Sequence, residues 1–325
     1  MRRLVVALVL LTAAACGGGG GEAPSASSSP IPSAPAESAP DGDPAAQADG
    51  PVAYTLLSGE GLAAIDTADG DVVVEYVVPV GGSGFGGLAV DADRSLVLFH
   101  RATTGSEAQV VELTTDDGSE NVRLSDAAWP APEAGGDRWA HVEDSITDDG
   151  SRLVELVLRN RIGEELERWH HGAVPADIDF EQLPLRNTAF GPDEIAVQAA
   201  IDADREVVLV VPLGSGGSPL TEVATRVTAD QDASETAAPS YRGEELTVAV
   251  RSDDGRRSRV VAVGDDGGLG DTVVDGIDGH VLEMDWDAAG EGLLLVVERT
   301  DDTALLVWDG NELRELTTGV VSASW

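Results

Sequence analysis

The sequence predicts an all-β fold: a six-bladed β-propeller of four-stranded antiparallel blades over residues 52–325, closed by its C-terminal strand joining the N-terminal blade. Three observations predict it. Short apolar runs alternate with tight-turn dipeptides along the whole stretch, the runs fall into groups of four, and the two chain ends hold complementary parts of one further group.

The apolar runs are four to eight residues long and rich in Val, Leu and Ile. Val72–Val78, Leu96–His100, Val110–Leu113, Leu153–Leu158, Val207–Val211, Leu246–Val250, Val260–Val263, Leu293–Val297 and Leu305–Trp308 are examples. Asp-Gly, Asp-Asp-Gly and Gly-Asn turns separate them, the pattern of strands joined by hairpins. Arg161–Trp169 has some helical character, but its flanks favour a strand pair, and no helical stripe of ten or more residues is present. Hydrophobic residues make up 42% of the chain and aromatics only 4%, so the core is expected to be aliphatic.

The grouping is clearest over 280–319, where His280–Trp286, Leu293–Arg299, Ala304–Asp309 and Glu312–Thr317 follow one another across short turns. The same four beats fit 234–277, 184–223, 125–171 and 85–124. Trp129, Phe190, Tyr241, Trp286 and Trp325 are expected to end the first strand of successive units. Units of this size with four strands each are the signature of a propeller. Residues 53–78 supply only three strands (Tyr54–Ser58, Leu62–Asp66 and Val72–Val78), and Val320–Trp325 supplies one more. Joined, they make the sixth blade and leave no open sheet edge.

Leu305–Thr317 (Leu-Leu-Val-Trp-Asp-Gly-Asn-Glu-Leu-Arg-Glu-Leu-Thr), followed by Ser322-Ala323-Ser324-Trp325, resembles the WD40-like repeat of TolB-type propellers. There a strand, a Gly turn and a Leu-Thr ending lead to a Pro-x-Trp-Ser-Pro-Asp-Gly element. The Ser-Pro-Asp-Gly half is missing after Trp129, Tyr241 and Trp286, and Gly191-Pro192-Asp193 only echoes it. Leu62–Asp71 similarly resembles one repeat of quinone-type propellers, and a single copy cannot build a quinone site. The TolB-type resemblance implies architecture and contact with partner proteins at the envelope; it brings no catalytic signature.

Residues 1–15 read as a lipoprotein signal peptide. Arg2 and Arg3 precede the apolar run Leu4–Leu11, and Thr12-Ala13-Ala14-Ala15 leads to Cys16, the chain's single cysteine. The apolar stretch is far short of the ~20 residues that a membrane-spanning helix needs. The arrangement resembles a bacterial lipobox, which implies that Cys16 is lipidated (palmitate included) and becomes the new N-terminus. Residues 16–51 (the Gly17–Gly21 tract and a stretch of mostly Ala, Ser, Pro, Asp and Glu) form a linker too polar to fold. As a flexible chain it reaches ~33 Å. Signal, Gly tract and linker together resemble those of actinobacterial surface lipoproteins, so the expected location is the outer face of the cell membrane, held by the lipid anchor.

The net charge is −39, and all 20 basic residues are arginine. From residue 52 onward 54 acids face 18 arginines. Such a surface repels phosphate backbones and argues against nucleic acid as a partner. With Cys16 committed, no thiol is left for a disulfide, a zinc site or nucleophilic catalysis.

Local motifs yield no cofactor and no metal site. Gly82–Gly87 has dinucleotide-loop spacing, but Leu88–Asp91 continues as a strand where that loop needs a helix. Asp-Ala-Asp-Arg at 91–94 and at 202–205 offers oxygen ligands for calcium. The first falls between strands one and two of its blade and the second between strands two and three, so the two lie on opposite faces and read as turns. His170-His171 would point to opposite sides of a strand. Arg256-Arg257-Ser258-Arg259 is the one dense basic cluster, suited to an acidic partner or to nearby aspartates. No Gly-x-Ser-x-Gly elbow is present, and Ser145–Gly150 misses the sialidase Asp-box spacing. The expectation is therefore a non-enzymatic platform for an envelope protein or glycan ligand. The alternative is an envelope glycan hydrolase or lyase using carboxylates at the propeller axis.

Overall fold

A computed structural model describes residues 51–325, apart from 59–60, 77–84, 91–95, 103–107, 116–118, 135, 149, 175–183, 203–204, 228–234 and 253–254. The signal peptide, Cys16 and the linker up to residue 50 lie outside the described residues.

Among the described residues, twenty-four strands form six four-stranded antiparallel sheets. Blade 1 combines β1 (Val52–Leu57), β2 (Gly61–Asp66) and β3 (Val72–Tyr76) with the last strand of the chain. Blade 2 is β4 (Phe85–Val90), β5 (Leu96–Ala102), β6 (Ala108–Thr114) and β7 (Glu120–Ser125). Blade 3 is β8 (Ala127–Pro132), β9 (Arg138–Ile146), β10 (Arg152–Asn160) and β11 (Glu165–Val174). Blade 4 is β12 (Leu185–Phe190), β13 (Glu194–Asp202), β14 (Arg205–Pro212) and β15 (Thr225–Arg226), with a one-turn helix α1 (Leu220–Val223) before β15. Blade 5 is β16 (Thr236–Arg242), β17 (Glu245–Arg251), β18 (Arg257–Val263) and β19 (Leu269–Asp278). Blade 6 is β20 (His280–Trp286), β21 (Leu293–Glu298), β22 (Thr303–Trp308) and β23 (Leu313–Thr318), and β24 (Val320–Ser324) completes blade 1.

The predicted closure is present. Strand β24 pairs with β1 through Tyr54–Ser324, Thr55–Ala323 and Leu56–Ser322. It also touches β4 on one side and β20 on the other, so the six first strands form a continuous inner ring: β24, β4, β8, β12, β16, β20. Two expectations need correcting. The fourth strand of blade 4 lies beyond 223, because α1 occupies the segment where a strand was expected. Trp129 does not end β8, which runs on to Pro132.

The aliphatic core is divided among the seams between blades. Tyr54, Leu56 and Phe99 fill the seam of blades 1 and 2. Leu156, Trp169 and Ile195 fill that of blades 3 and 4, and Ile65, Leu294 and Leu305 that of blades 6 and 1. Among the described residues, Leu98, Val110, Ala127 and Trp139 are the buried apolar residues of the seam of blades 2 and 3. Alternation along β9 places His141 and Glu143 on the same face as Trp139. His141 stacks on Trp139 with ring centroids 4.6 Å apart, and Glu143 binds His141 at 2.9 Å, Arg159 at 2.5 Å and Arg168 at 2.8 Å. Arg168 in turn reaches Glu155 and Glu165. Burial pushes the Glu143 carboxyl up, but the hydrogen bonds from His141, Arg159 and Arg168 outweigh it and hold the group well below the usual carboxylate range.

Candidate functional site

All six inner strands break register at the same level. The breaks fall between Gly86 and Ala89, Ala128 and Ala131, Arg186 and Thr188, Ala237 and Ser240, and Val281 and Glu283, and at Leu56/Leu57 in the pairing of β1 with β24. Each is a β-bulge, which bends the strand and re-aims the side chains beyond it. At four of these bulges the backbone is left-handed: Gly87 (φ 54), Trp129 (φ 53), Asn187 (φ 44) and Ala238 (φ 45). That conformation is easy for Gly, tolerable for Asn and costly for a bulky residue such as Trp. Past the bulges, the ends of the six strands enclose a pocket of about 170 Å³ on the ring axis. Its chemistry comes from Trp129, Asn187, Phe190, Tyr241, Glu283 and Asp285.

Asn187 reaches past blade 5 to blade 6. Its amide donates 2.8 Å bonds to the Leu282 carbonyl of blade 6 and to Oε1 of Gln198, which also accepts from the backbone of Ala238. The bulge level is thus tied together across three blades. Trp129 is held by Thr188, which bonds its carbonyl, and by the edge of the buried His100, 4.3 Å away at 67°. Burial pushes the His100 imidazole down to about 3; the neutral ring accepts the Trp129 N–H at Nδ1, 3.4 Å away. The Trp129 indole N–H is buried and has no partner. Here the glycine pair Gly86-Gly87 finds its reason. A Cβ on Gly87 would lie 2.9 Å from both Trp129 Cα and His100 Nδ1, and one on Gly86 2.8 Å from the same imidazole.

Glu283 and Asp285 sit at i and i+2 of β20, on one face of the strand. Each heads a relay across three inner strands. The Leu88 N–H donates to Ser322 Oγ at 2.8 Å, and Ser322 donates to Glu283. One step along, Val90 N–H donates to Ser324 Oγ at 3.3 Å, and Ser324 donates to Asp285 at 2.8 Å. Gly87 N–H adds a bond to Glu283, and Trp325 N–H one to Asp285. Burial pushes the Glu283 carboxyl up to about 7 despite these donors. It pushes Asp285 up to about 6, with Asp287 adding repulsion. Both carboxyls face the pocket, and both are already engaged by the closing strand.

The residues singled out by sequence are scattered. Gly82–Gly84, Asp91–Arg94 and the centre of the second Asp-Ala-Asp-Arg lie outside the described residues, but the flanking strands place these tetrapeptides after β4 and between β13 and β14, as expected. Leu88–Val90 is strand. His170 Nδ1 meets Glu155 at 2.5 Å, while buried His171 Nδ1 has no partner, so the pair does not converge. Among the described residues no three His, Cys, Asp or Glu side chains come together to hold a metal. Arg256, Arg257 and Arg259 are exposed, while Ser258 is buried and bonds the Gly279 carbonyl. The end of the glycine motif, Gly87, and the run Leu88–Val90 line the axial pocket, as do Phe190, Tyr241 and Trp129, read as strand-end markers; His170, His171 and the arginine cluster do not. Sequence reasoning missed Glu283, Asp285 and Asn187. The one available signal was the matched spacing of Glu283-x-Asp285 and Ser322-x-Ser324 in two first strands.

No protein-family model and no curated protein matches the chain. Solved structures do. TolB from Acinetobacter baumannii superposes with a TM-score of 0.55 at 13% identity, over 84% of this chain and 66% of that one. The putative TolB from Agrobacterium tumefaciens gives 0.51 at 13% identity, over 82% and 88%. A chain of the nidogen/laminin complex gives 0.55 at 9% identity, over 84% and 97%. With six four-stranded blades closed by its own last strand, the chain has the fold of the TolB-like six-bladed β-propellers.

Proposed function

We propose that this protein is a binding platform at the cell envelope, carried outside the membrane by a lipid on Cys16, and that it takes its partner's contacting group in the axial pocket. The observation that carries the reading is the division of labour in that pocket. The two carboxyls are engaged in joining blades 6, 1 and 2. What remains to meet a partner are the aromatic residues of the lining, Trp129, Phe190 and Tyr241. Aromatic side chains around a small polar pocket suit recognition of a polar group on an apolar stem. The TolB-like fold supports the platform but names no partner, since propellers serve many functions.

The test is capture from envelope extracts by the full chain, wild type against Phe190→Ala and Tyr241→Ala. A partner retained by the wild type and released by both variants is expected; equal retention by all three would remove the axial pocket from the proposal. For the anchor, labelling with radioactive palmitate should mark the wild type and leave Cys16→Ser unlabelled and released from membranes. Label on the Cys16→Ser chain would overturn that part.

A second reading, an envelope glycan hydrolase or lyase, is favoured by one observation: two carboxyls with raised pKa at i and i+2 on the axis. Neighbouring i, i+2 positions are ~6.8 Å apart along a strand, within the range of hydrolase carboxyl pairs. Turnover of cell-wall glycan that Glu283→Gln abolishes would decide for it.

A further inference from the structure

Away from the axis, the seam between blades 2 and 3 opens into a second cavity of about 250 Å³. Leu98 and Leu124 line it from blade 2, and Pro132, Trp139 and Ile162 from blade 3. Leu98 and Trp139 are buried, and Ile162, on the β10–β11 turn, is 77% exposed, the most exposed large apolar side chain among the described residues. The indole N–H of Trp139 is taken by the Asn160 carbonyl, so the ring offers only its apolar surface.

The rim inverts the charge of the molecule. In a chain with 59 acids and 20 arginines, three arginines (Arg123, Arg138 and Arg161) and one acid (Glu112) line this cavity. Two of the three are neutralised in place. Arg123 pairs with Glu112. Arg138 grips Glu133 through two bonds, at 2.6 and 3.0 Å, and lies 5.4 Å over the Phe190 ring. Arg161 belongs to the hairpin turn and is fixed through its backbone, whose N–H bonds the Asp137 carbonyl at 2.8 Å. Its guanidinium has no carboxylate partner among the described residues. One unmatched planar cation therefore stands at the mouth of an apolar slot, next to an exposed isoleucine.

The geometry points to a binding site for a small apolar carboxylic acid in the blade 2–blade 3 seam, its body between Leu98, Leu124, Trp139 and Ile162 and its carboxylate on Arg161. A guanidinium meets a carboxylate through paired charge-assisted bonds, which a neutral head group cannot reproduce. The slot supplies the apolar contact that a bare anion would not need. Phosphate and sulfate fit less well, because the other two guanidinia are occupied and a single arginine leaves most of their charge unmatched. The site adjoins the axial pocket through Pro132, but its proposed contacts (Leu98, Leu124, Trp139, Arg161 and Ile162) line only this cavity, and it does not depend on the reading given to the axial one.

The test uses the full chain with phenylbutyrate and decanoate as probes, and phenylbutyramide as the neutral counterpart, followed by saturation-transfer NMR and calorimetry. Both acids are expected to bind, with the amide at least tenfold weaker. Arg161→Gln should cut affinity for the acids about tenfold and leave the amide unchanged, which corresponds to one charge-assisted contact. Ile162→Asp should weaken acids and amide together. Arg256→Gln, a change of equal charge elsewhere on the ring, should alter nothing. Because Arg161 and Ile162 are exposed, unchanged thermal melts will show that the variants are folded. Absence of binding by either acid, equal binding of acid and amide, or an Arg161→Gln chain that binds the acids as wild type does would each overturn the proposal.

Discussion

At the scale of single residues, the axial pocket is shaped by backbone that most side chains avoid. Gly87 and Trp129 occupy matching bulges of neighbouring strands, both left-handed, and they touch. Adding a methyl at Gly87 combines two penalties: left-handed strain of ~1–2 kcal/mol, and a clash 2.9 Å from Trp129 Cα that only a backbone shift relieves. Gly136 is the natural comparison, with φ 71 and nothing within 4 Å of its notional Cβ. Gly136→Ala should therefore cost about 1 kcal/mol, and Gly87→Ala about 3 kcal/mol once overpacking is added. Urea unfolding of the two variants measures the difference directly; equal costs would mean that the Gly87–Trp129 contact is not tight. None of this could be read from the sequence. Trp129 recurs with Phe190, Tyr241 and Trp286 at the position of an aromatic that ends a first strand, and nothing in that pattern signals a bulge. The bulge gives Pro130 a position without a ladder partner, and β8 continues through Pro132.

At the scale of elements, closure of the ring depends on more than the β1–β24 ladder. Ser322 and Ser324 each accept from β4 and donate to β20, so one short strand is laced to both neighbours. Ser322→Ala would leave the buried Leu88 N–H unmatched and remove a donor from Glu283, at a cost of about 2 kcal/mol. Ser324→Ala, whose bond from Val90 is the longer at 3.3 Å, should cost about half as much. The urea midpoints of the two variants check the order, and a reversed order would count against the relay. The same relay has a pH signature. The Glu283 pKa is raised in the folded protein, so the folded state keeps its proton after the unfolded chain has lost it, and stability falls as pH rises from about 4.5 to about 7. Glu283→Gln carries no such penalty. Its stability relative to wild type should rise by roughly 2 kcal/mol between those pH values, allowing for solvent access through the pocket. Measuring the difference between the two chains cancels the opposite trend from buried His100 and His141, whose lowered pKa values remove stability as pH falls below about 6.5. A difference that stays flat with pH would mean that Glu283 is not buried as described. The strands themselves were legible, because period-two patterning and Asp-Gly turns are local signals. The relay was not, because its serines, carboxyls and amides lie on three strands brought together only by ring closure.

At the scale of the whole molecule, the sequence revealed the ring and concealed the sites. Blade count and closure follow from quartets and complementary chain ends, both countable along the chain. The seams and the axis depend instead on which faces meet, and there two exceptions to the aliphatic rule stand out: the Glu143 network and the arginine-rimmed cavity both occupy the seam of blades 2 and 3. The overall charge acts on all six seams at once. From residue 52 onward 54 acids face 18 arginines, and even with arginines paired, as in Arg138–Glu133 and Arg299–Glu315, most carboxylates have no cation to meet. Self-repulsion of this kind opposes the compact state, and at low ionic strength it reaches across the ring, since the screening length is ~30 Å at 0.01 M and ~3 Å at 1 M. Salt also weakens the ion pairs, but surface pairs contribute only about 0–1 kcal/mol each, and those around Glu143 are partly buried and screened less. Repulsion should therefore dominate the response. The melting temperature is expected to climb steadily as sodium chloride is raised from about 0.01 M to about 1 M, and potassium chloride should act identically if screening is the cause. A melting temperature that falls with salt would show that the arginine–carboxylate pairs hold the blades together more strongly than the surplus of acids drives them apart.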